Sequence, residues 1–412
     1  MKFLVNTKVE ILIATLLFCS LTASGQSFTT LYNFGAQPGD GTFPLPSLAF
    51  DSAGNLYGAA TLSGSAGKGT IYQLSRPQIK GGFWVETIIH DFRGKPDGSV
   101  PESRLVVTAK GTLAGTTYTG GAFDMGSVFV ATPPPSPGKP WSERVIYSFG
   151  SVSGDGMNPN AGLLSGPSGF YGVTSGGGAN NRGTVFQLTP PSVPGGPWTE
   201  TILYSFKSGA DAAFPSSALI RDNSGNLYGT TTLGGASNVG AVYQLSPGPG
   251  GTWTETVIHS FTGPDGSLPN GRLQLGPNRV LYGTTDGGGA GDAGTVFQLT
   301  PSSGGIWTES VLYSFSGGSP DGGNPMGGVT LGKLGKLYGT AADGGANGAG
   351  VVFELDPPTG GGNWTQTVLH AFTSADGFAP ESELTVRNGR AFGTTTQGGL
   401  FGTGTAFAVT LP

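Results

Sequence analysis

An aromatic ring or histidine followed two positions later by phenylalanine recurs seven times, at Tyr32-Phe34, His90-Phe92, Tyr147-Phe149, Tyr204-Phe206, His259-Phe261, Tyr313-Phe315 and His370-Phe372. The intervals between successive Phe residues are 58, 57, 57, 55, 54 and 57. That is too regular for chance and too long for the coil of a solenoid, whose repeat is roughly 20–29 residues. The chain is one unit copied seven times, and each copy must bury its faces against its neighbours.

Each unit repeats the same pieces. A D-x-x-x-P turn follows the Phe, with its acidic residue at Asp40, Asp97, Asp155, Asp211, Asp265, Asp321 and Asp376. Eight residues past each Asp, Leu48, Leu105, Leu163, Leu219, Leu273, Val329 or Leu384 marks a strand a. Strand b follows (Leu227-Tyr228-Gly229-Thr230-Thr231), then a Gly-Gly loop, strand c (Gly294 to Leu299) and strand d (Trp253 to Phe261). These β-branched and aromatic runs, bounded by turn formers, carry no helical period. Gly at 76 and Pro at 30 of 412 residues would suggest low-complexity disorder. The 42 Phe, Trp and Tyr residues supply a core instead.

In strand d, period-two alternation places Trp253, Glu255, Val257, His259 and Phe261 on one face. Trp stands at the same position in six units, as Trp84, Trp141, Trp198, Trp253, Trp307 and Trp364, and is read as blade packing. Units that need a neighbour on both faces predict an all-β, seven-bladed β-propeller with four-stranded antiparallel blades. Segment 28–34 is an orphan strand d and the last unit ends after strand c. Their pairing is expected to close the ring and leave no open edge. Residues 26–412 are read as this one domain.

Residues 1–25 read as a secretory signal: Lys2 and Lys8, an apolar run from Ile11 to Leu21, and small residues before Gln26. The run is shorter than the ~20 residues that span a bilayer, and no membrane insertion is expected. Without this segment the chain has 18 basic and 24 acidic residues. No basic stripe suits a nucleic acid, which is excluded as a partner.

Candidate chemistry is sparse. His90, His259 and His370 occupy one repeat position, so they cannot meet one another, and they are read as packed strand residues. The seven Asp are read as turn formers that accept backbone N–H groups, since one carboxylate per loop falls short of the six to eight oxygens of a calcium site. The Glu of W-x-E (Glu86, Glu143, Glu200, Glu255, Glu309; Gln366 in the sixth unit) is read as an outer-strand residue, too far from its copies to form a glycosidase pair. Catalytic residues, metal and cofactor are expected to be absent. Variation concentrates at the b–c tips: Phe123, Asp124 and Met125, then Asn180, Asn181 and Arg182, then Asn238, Asp292, Asn347 and Phe401. These are the candidate ligand-binding residues, with Phe123 and Phe401 expected on one sector of the face where b–c and d–a loops emerge.

The D-G-x-x-P, G-N-L-Y-G-T-T, G-G-A, G-T-V-F-x-L and W-T-E-T-V-L-Y-S-F pieces, most of them present between Asp222 and Phe261, make the chain resemble the GloVer (Gloeo/Verruco) tandem-repeat proteins. The resemblance implies a secreted bacterial protein, often carrying a C-terminal sorting anchor, with no established activity. Here Leu411-Pro412 follows directly on a strand, and free secretion of a monomer is expected. The expected function is a non-catalytic scaffold that binds a glycan or protein ligand, such as a polysaccharide or a surface protein, through the b–c and d–a loop face. The alternatives are an extracellular carbohydrate-active hydrolase or lyase using Asp124 or Asp292, and a structural cell-surface protein.

Overall fold

The computed structural model describes residues 27–79, 82–136 and 138–412. Residues 1–25, read above as an export signal, lie outside the described residues. Seven antiparallel four-stranded sheets form the blades of a propeller. The fourth blade shows the pattern: Ile220–Arg221 (a), Leu227–Gly234 (b), Ala241–Pro247 (c) and Trp253–Ser260 (d). Strand a is short in every blade, only two or three residues. The described residues contain no helix long and apolar enough to cross a membrane.

The seventh blade is built from both ends of the described chain. Phe28–Asn33 pairs antiparallel with Thr405–Thr410 as its outer strand, from Phe28↔Val409 to Asn33↔Thr405. This is the closure the orphan strand predicted. On one face of the disc the d–a loop pairs with the b–c loop of its own blade, as Gly41–Thr42 with Leu62–Ser63 and Gly156–Met157 with Gly176–Gly177. The D-x-x-x-P turns and the Gly-Gly loops therefore share that face.

The Phe repeated in every unit anchors the seam between blades. Phe261 is fully buried and meets Phe297 of the fifth blade edge to face at 5.1 Å, and Phe206 meets Tyr243 at 5.0 Å in the same way. The Pro of the turn packs on the glycine that opens strand c of the preceding blade. Gly240 has φ of +110°, and a Cβ there would lie 2.3 Å from Pro269 Cδ. Both conformation and space demand glycine at that point.

The single-face reading of strand d needs correction. Each strand d carries a β-bulge: in the fourth blade Tyr243 pairs with Val257 and Val242 with His259, leaving Ile258 unopposed. The extra residue reverses the sides. Trp253 and Val257 pack back on the third blade with Tyr171 and Phe206, whereas Ile258 and Phe261 pack forward on the fifth with Leu281 and Phe297. One strand thus serves two seams. Trp253 is only half-buried, with its ring 6.5 Å from that of Tyr171. Truncating a fully buried aromatic costs about 3–5 kcal/mol, so Phe261→Ala is expected to cost about 4 kcal/mol and Trp253→Ala about 2 kcal/mol. Urea unfolding of the two variants tests this, and a larger loss at Trp253 would contradict the packing described.

Candidate functional site

Three residues separate the Pro of each D-x-x-x-P turn from the Leu that precedes strand a, or the Val that opens it in the sixth blade. Together the seven such segments line an axial cavity of about 480 Å³. The position after Pro carries Leu45, Glu102, Asn160, Ser216, Asn270, Met326 and Glu381, all lining the cavity. Two positions further on, Arg104, Arg272 and Glu383 meet although they belong to the second, fifth and seventh blades. Arg104 donates to Glu383 Oε2 at 3.5 Å and Arg272 to Oε1 at 3.2 Å. Glu383 is 8% exposed, and the charge-assisted bonds of two guanidinium groups offset its desolvation.

Around this bridge the cavity is rich in acceptors. Asp286 stands directly after strand b of the fifth blade, where other blades carry Thr61, Tyr118, Ser175, Thr232, Ala342 or Thr396. Burial pushes its carboxyl up to about 7, with the Glu381 charge adding to the rise and the hydrogen bond to Asn270 opposing it. Burial also raises Glu102 and Glu381. Asn160 Oδ1, on a wall residue, and Asp286 Oδ1, on a residue outside the cavity lining, are buried and find no donor among the described residues. A site of this kind offers carboxyl and amide oxygens to a ligand that brings its own donors.

A second set of titratable groups lies at the seams. The ring of Tyr/His-x-Phe, the Asp of the turn and the Glu of W-x-E converge there, because the bulge aims the ring forward while the Glu of the next blade faces back. Tyr32 donates to Asp40 at 3.0 Å and to Glu86 at 3.2 Å, and Tyr147 reaches Asp155 at 3.2 Å and Glu200 at 3.3 Å. Asp also accepts the amide at the start of its loop, as Ala36 N–H to Asp40 at 3.0 Å and Lys207 N–H to Asp211 at 2.8 Å. The histidines do stay apart from one another, yet each bonds its own turn Asp: His90 to Asp97 at 3.0 Å, His259 to Asp265 at 3.1 Å and His370 to Asp376 at 3.0 Å. Burial lowers His259 and His370 against the pull of those carboxylates. At His90 the opposing bond to Asp97 and the Glu143 charge outweigh burial and raise it.

The Gloeobacter/Verrucomicrobia repeat model matches residues 16–169 and 168–407, nearly the whole chain. The chain belongs to that family. No curated protein matches its sequence. Among solved structures it resembles an ancestral GH74 enzyme, at 12% identity over 94% of this chain and 51% of that one, with a TM-score of 0.59. A proposed 6-phosphogluconolactonase from Bacteroides uniformis aligns at 12% identity over 84% of this chain and 88% of that one, with a TM-score of 0.54. The chain spans about half the length of the GH74 enzyme. At these identities the likeness is one of fold.

Within this Gloeobacter/Verrucomicrobia repeat, the variable b–c tips are tied to the backbone. Asp124, Asn181, Asn238 and Asp292 have φ of 52–64°. Their Oδ1 atoms accept the N–H of Gly120, Gly177, Gly234 and Gly288 at 3.1–3.2 Å. Asn180 and Asn347 donate to the carbonyl oxygens of Phe206 and Phe372 at 3.3 and 3.1 Å, and Arg182 lies over the Phe214 ring at 5.2 Å. Phe123, Met125 and Phe401 remain exposed. Phe123 borders Gly150 at the second seam and Phe401 borders Gly35 at the closing seam, so the two rings serve different junctions. None of these ten residues lines the axial cavity. Its polar residues were missed although the sequence signals them: between Pro and Leu the chain varies in charge while the flanking anchors hold still.

Proposed function

We propose that this protein is a binding module that takes the end of a glycan into the axial cavity of its propeller, without turning it over. The observation that carries this reading is a cavity of about 480 Å³ whose wall brings together Glu102, Glu381, Arg104, Arg272, Asn160 and Asn270 from several blades. Vicinal sugar hydroxyls supply donors for carboxyl and amide oxygens of this kind, and the cavity has room for one or two sugar residues. Export, by the signal read in residues 1–25, would place the site where polysaccharides occur.

A second reading is favoured by one observation. Asp286, bonded to the wall residue Asn270, is pushed up to about 7 by burial and by the Glu381 charge, which is how a general acid is kept protonated beside a second carboxyl. A screen of residues 27–412 against plant, microbial and host oligosaccharides, following binding and product release together, separates the two. Binding without release, lost at least tenfold in Glu102→Ala/Asn160→Ala and unchanged in Phe123→Ala/Phe401→Ala, is the expected result. Release of sugars abolished by Asp286→Ala would establish the hydrolase. Binding lost only in the loop variant would move the site to the tips.

A further inference from the structure

We propose that the seams between the first and second blades and between the fourth and fifth blades are divalent-metal sites of the zinc class, formed by His90, Asp97 and Glu143 and by His259, Asp265 and Glu309. In each set one imidazole nitrogen and two carboxylate oxygens lie within 4.8 Å of one another. His90 Nε2 is 3.0 Å from Asp97 Oδ2 and 3.6 Å from Glu143 Oε2. Ligands held at ~2.1 Å in a tetrahedron stand ~3.4 Å apart, so these atoms already have the spacing an ion imposes. His259 Nε2 lies 3.1 Å from Asp265 Oδ2. One nitrogen and two carboxylates suit a borderline ion better than calcium or magnesium, which take oxygen alone.

The glutamates of both sets are poorly solvated. The Glu143 side chain is only 8% exposed, and its Oε1 is buried without a donor. Glu309 Oε1 is likewise buried and donorless, as are the Oε1 atoms of Glu86, Glu200 and Glu255 at tyrosine seams, so the imidazole is what sets these two seams apart. His90 and His259 keep 24% and 17% of their side chains exposed, on the loop face, so an ion has a route in and a fourth position for water or an outside ligand.

The repeat supplies its own controls. At Tyr32, Tyr147, Tyr204 and Tyr313 the seam holds a phenol that donates a hydrogen bond where the imidazole would ligate. His370 has Asp376 but no third ligand among the described residues, because Phe28 of the closing strand occupies the Glu position and stacks on the imidazole at 3.7 Å. The chemistry therefore predicts two sites and not three or seven. Each ties strand d of one blade to the turn and strand d of the next.

Titration of the metal-free protein with zinc against a chromophoric chelator is expected to give two equivalents at micromolar affinity or tighter, with cobalt producing the intense visible bands of tetrahedral coordination. H90Y and H259Y should each remove one equivalent and the double variant both, with the native fold kept, since tyrosine already serves four other seams. H370Y should leave two. E143Q/E309Q gives an independent loss that does not depend on the tyrosine variants folding. Zinc bound in none of these forms, or bound equally by wild type and by both double variants, would overturn the assignment.

Discussion

Removal of residues 27–34 is expected to convert a protein with a sharp thermal transition into an aggregating one that melts far lower. The segment is the outer strand of the last blade, and its loss bares the edge of Thr405–Thr410 along the whole register from Val409 to Thr405. An open strand edge recruits another chain. Leu31 is 8% exposed and Phe34 fully buried, the latter with its ring 4.9 Å from Tyr72 of the first blade. Withdrawing two such side chains forfeits at least ~4 kcal/mol before any backbone bond is counted, against a total stability of ~5–15 kcal/mol. Size-exclusion chromatography and a melting curve of the truncated chain check this, with a synthetic peptide of residues 27–34 added in trans expected to restore part of the transition. A truncated protein that stayed monomeric and melted like the full chain would mean that the ring does not depend on this closure.

Most of this architecture was legible because the physics repeats. Seven copies of the Phe signature at near-constant spacing leave few folds open, and the mismatch between a lone first strand and an unfinished last unit located the closure. The bulge was not legible. Strand d alternates regularly in sequence from Trp253 to Phe261, and nothing in its residue types marks Ile258 as the one to be skipped, since bulge geometry is fixed by the register with strand c. Reading through the bulge put His259 and Glu255 on one face. In the folded protein they belong to different seams, and each meets its Asp from the opposite side.

The site was harder to read for a related reason. Variation at the b–c tips drew attention because Asn, Asp and Phe there look like ligand groups, yet Asp124 and Asp292 spend an oxygen on closing a turn with positive φ. The residues that converge on the axis are Glu102, Arg104, Arg272, Glu381 and Glu383. They were hidden inside a motif whose flanking Asp and Pro have an evident structural use. Blade symmetry brings residues at one repeat position to one radius, so differences at a position next to the axis are differences within a single cavity. Asp286 lies outside that motif and only the fold connects it to Glu381.

Stability is expected to fall as pH rises from 5 to about 8 in the presence of a chelator, and five seam glutamates carry most of the effect, with Asp286 adding to it. Burial lifts Glu86 and Glu200 to about 8, with Asp40 and Asp155 raising them further and Tyr32 and Tyr147 opposing. It lifts Glu143, Glu255 and Glu309 to about 7, with Asp97, Asp211 and Asp265 adding to the rise and His90 and Lys207 opposing at the first two. An unfolded glutamate titrates near 4.5. Between there and pH 7–8 the folded protein therefore holds protons that the unfolded chain has released, so stability is greatest below the unfolded value and declines up to the folded one. Each such group contributes a limiting slope of about 1.4 kcal/mol per pH unit, and if water entry cuts the summed slope to a fifth, that much still remains. The sixth blade shows what the proton does. Gln366 replaces the glutamate there, and its amide donates to Asp321 Oδ1 at 3.2 Å, as a protonated carboxyl would. Glu255→Gln is therefore expected to raise the melting temperature at pH 8.5 and to leave it nearly unchanged at pH 5, and the variant with all five replaced should flatten the profile. A wild-type melting temperature that held constant from pH 5 to 9 would sink the account of protonated carboxyls at the seams.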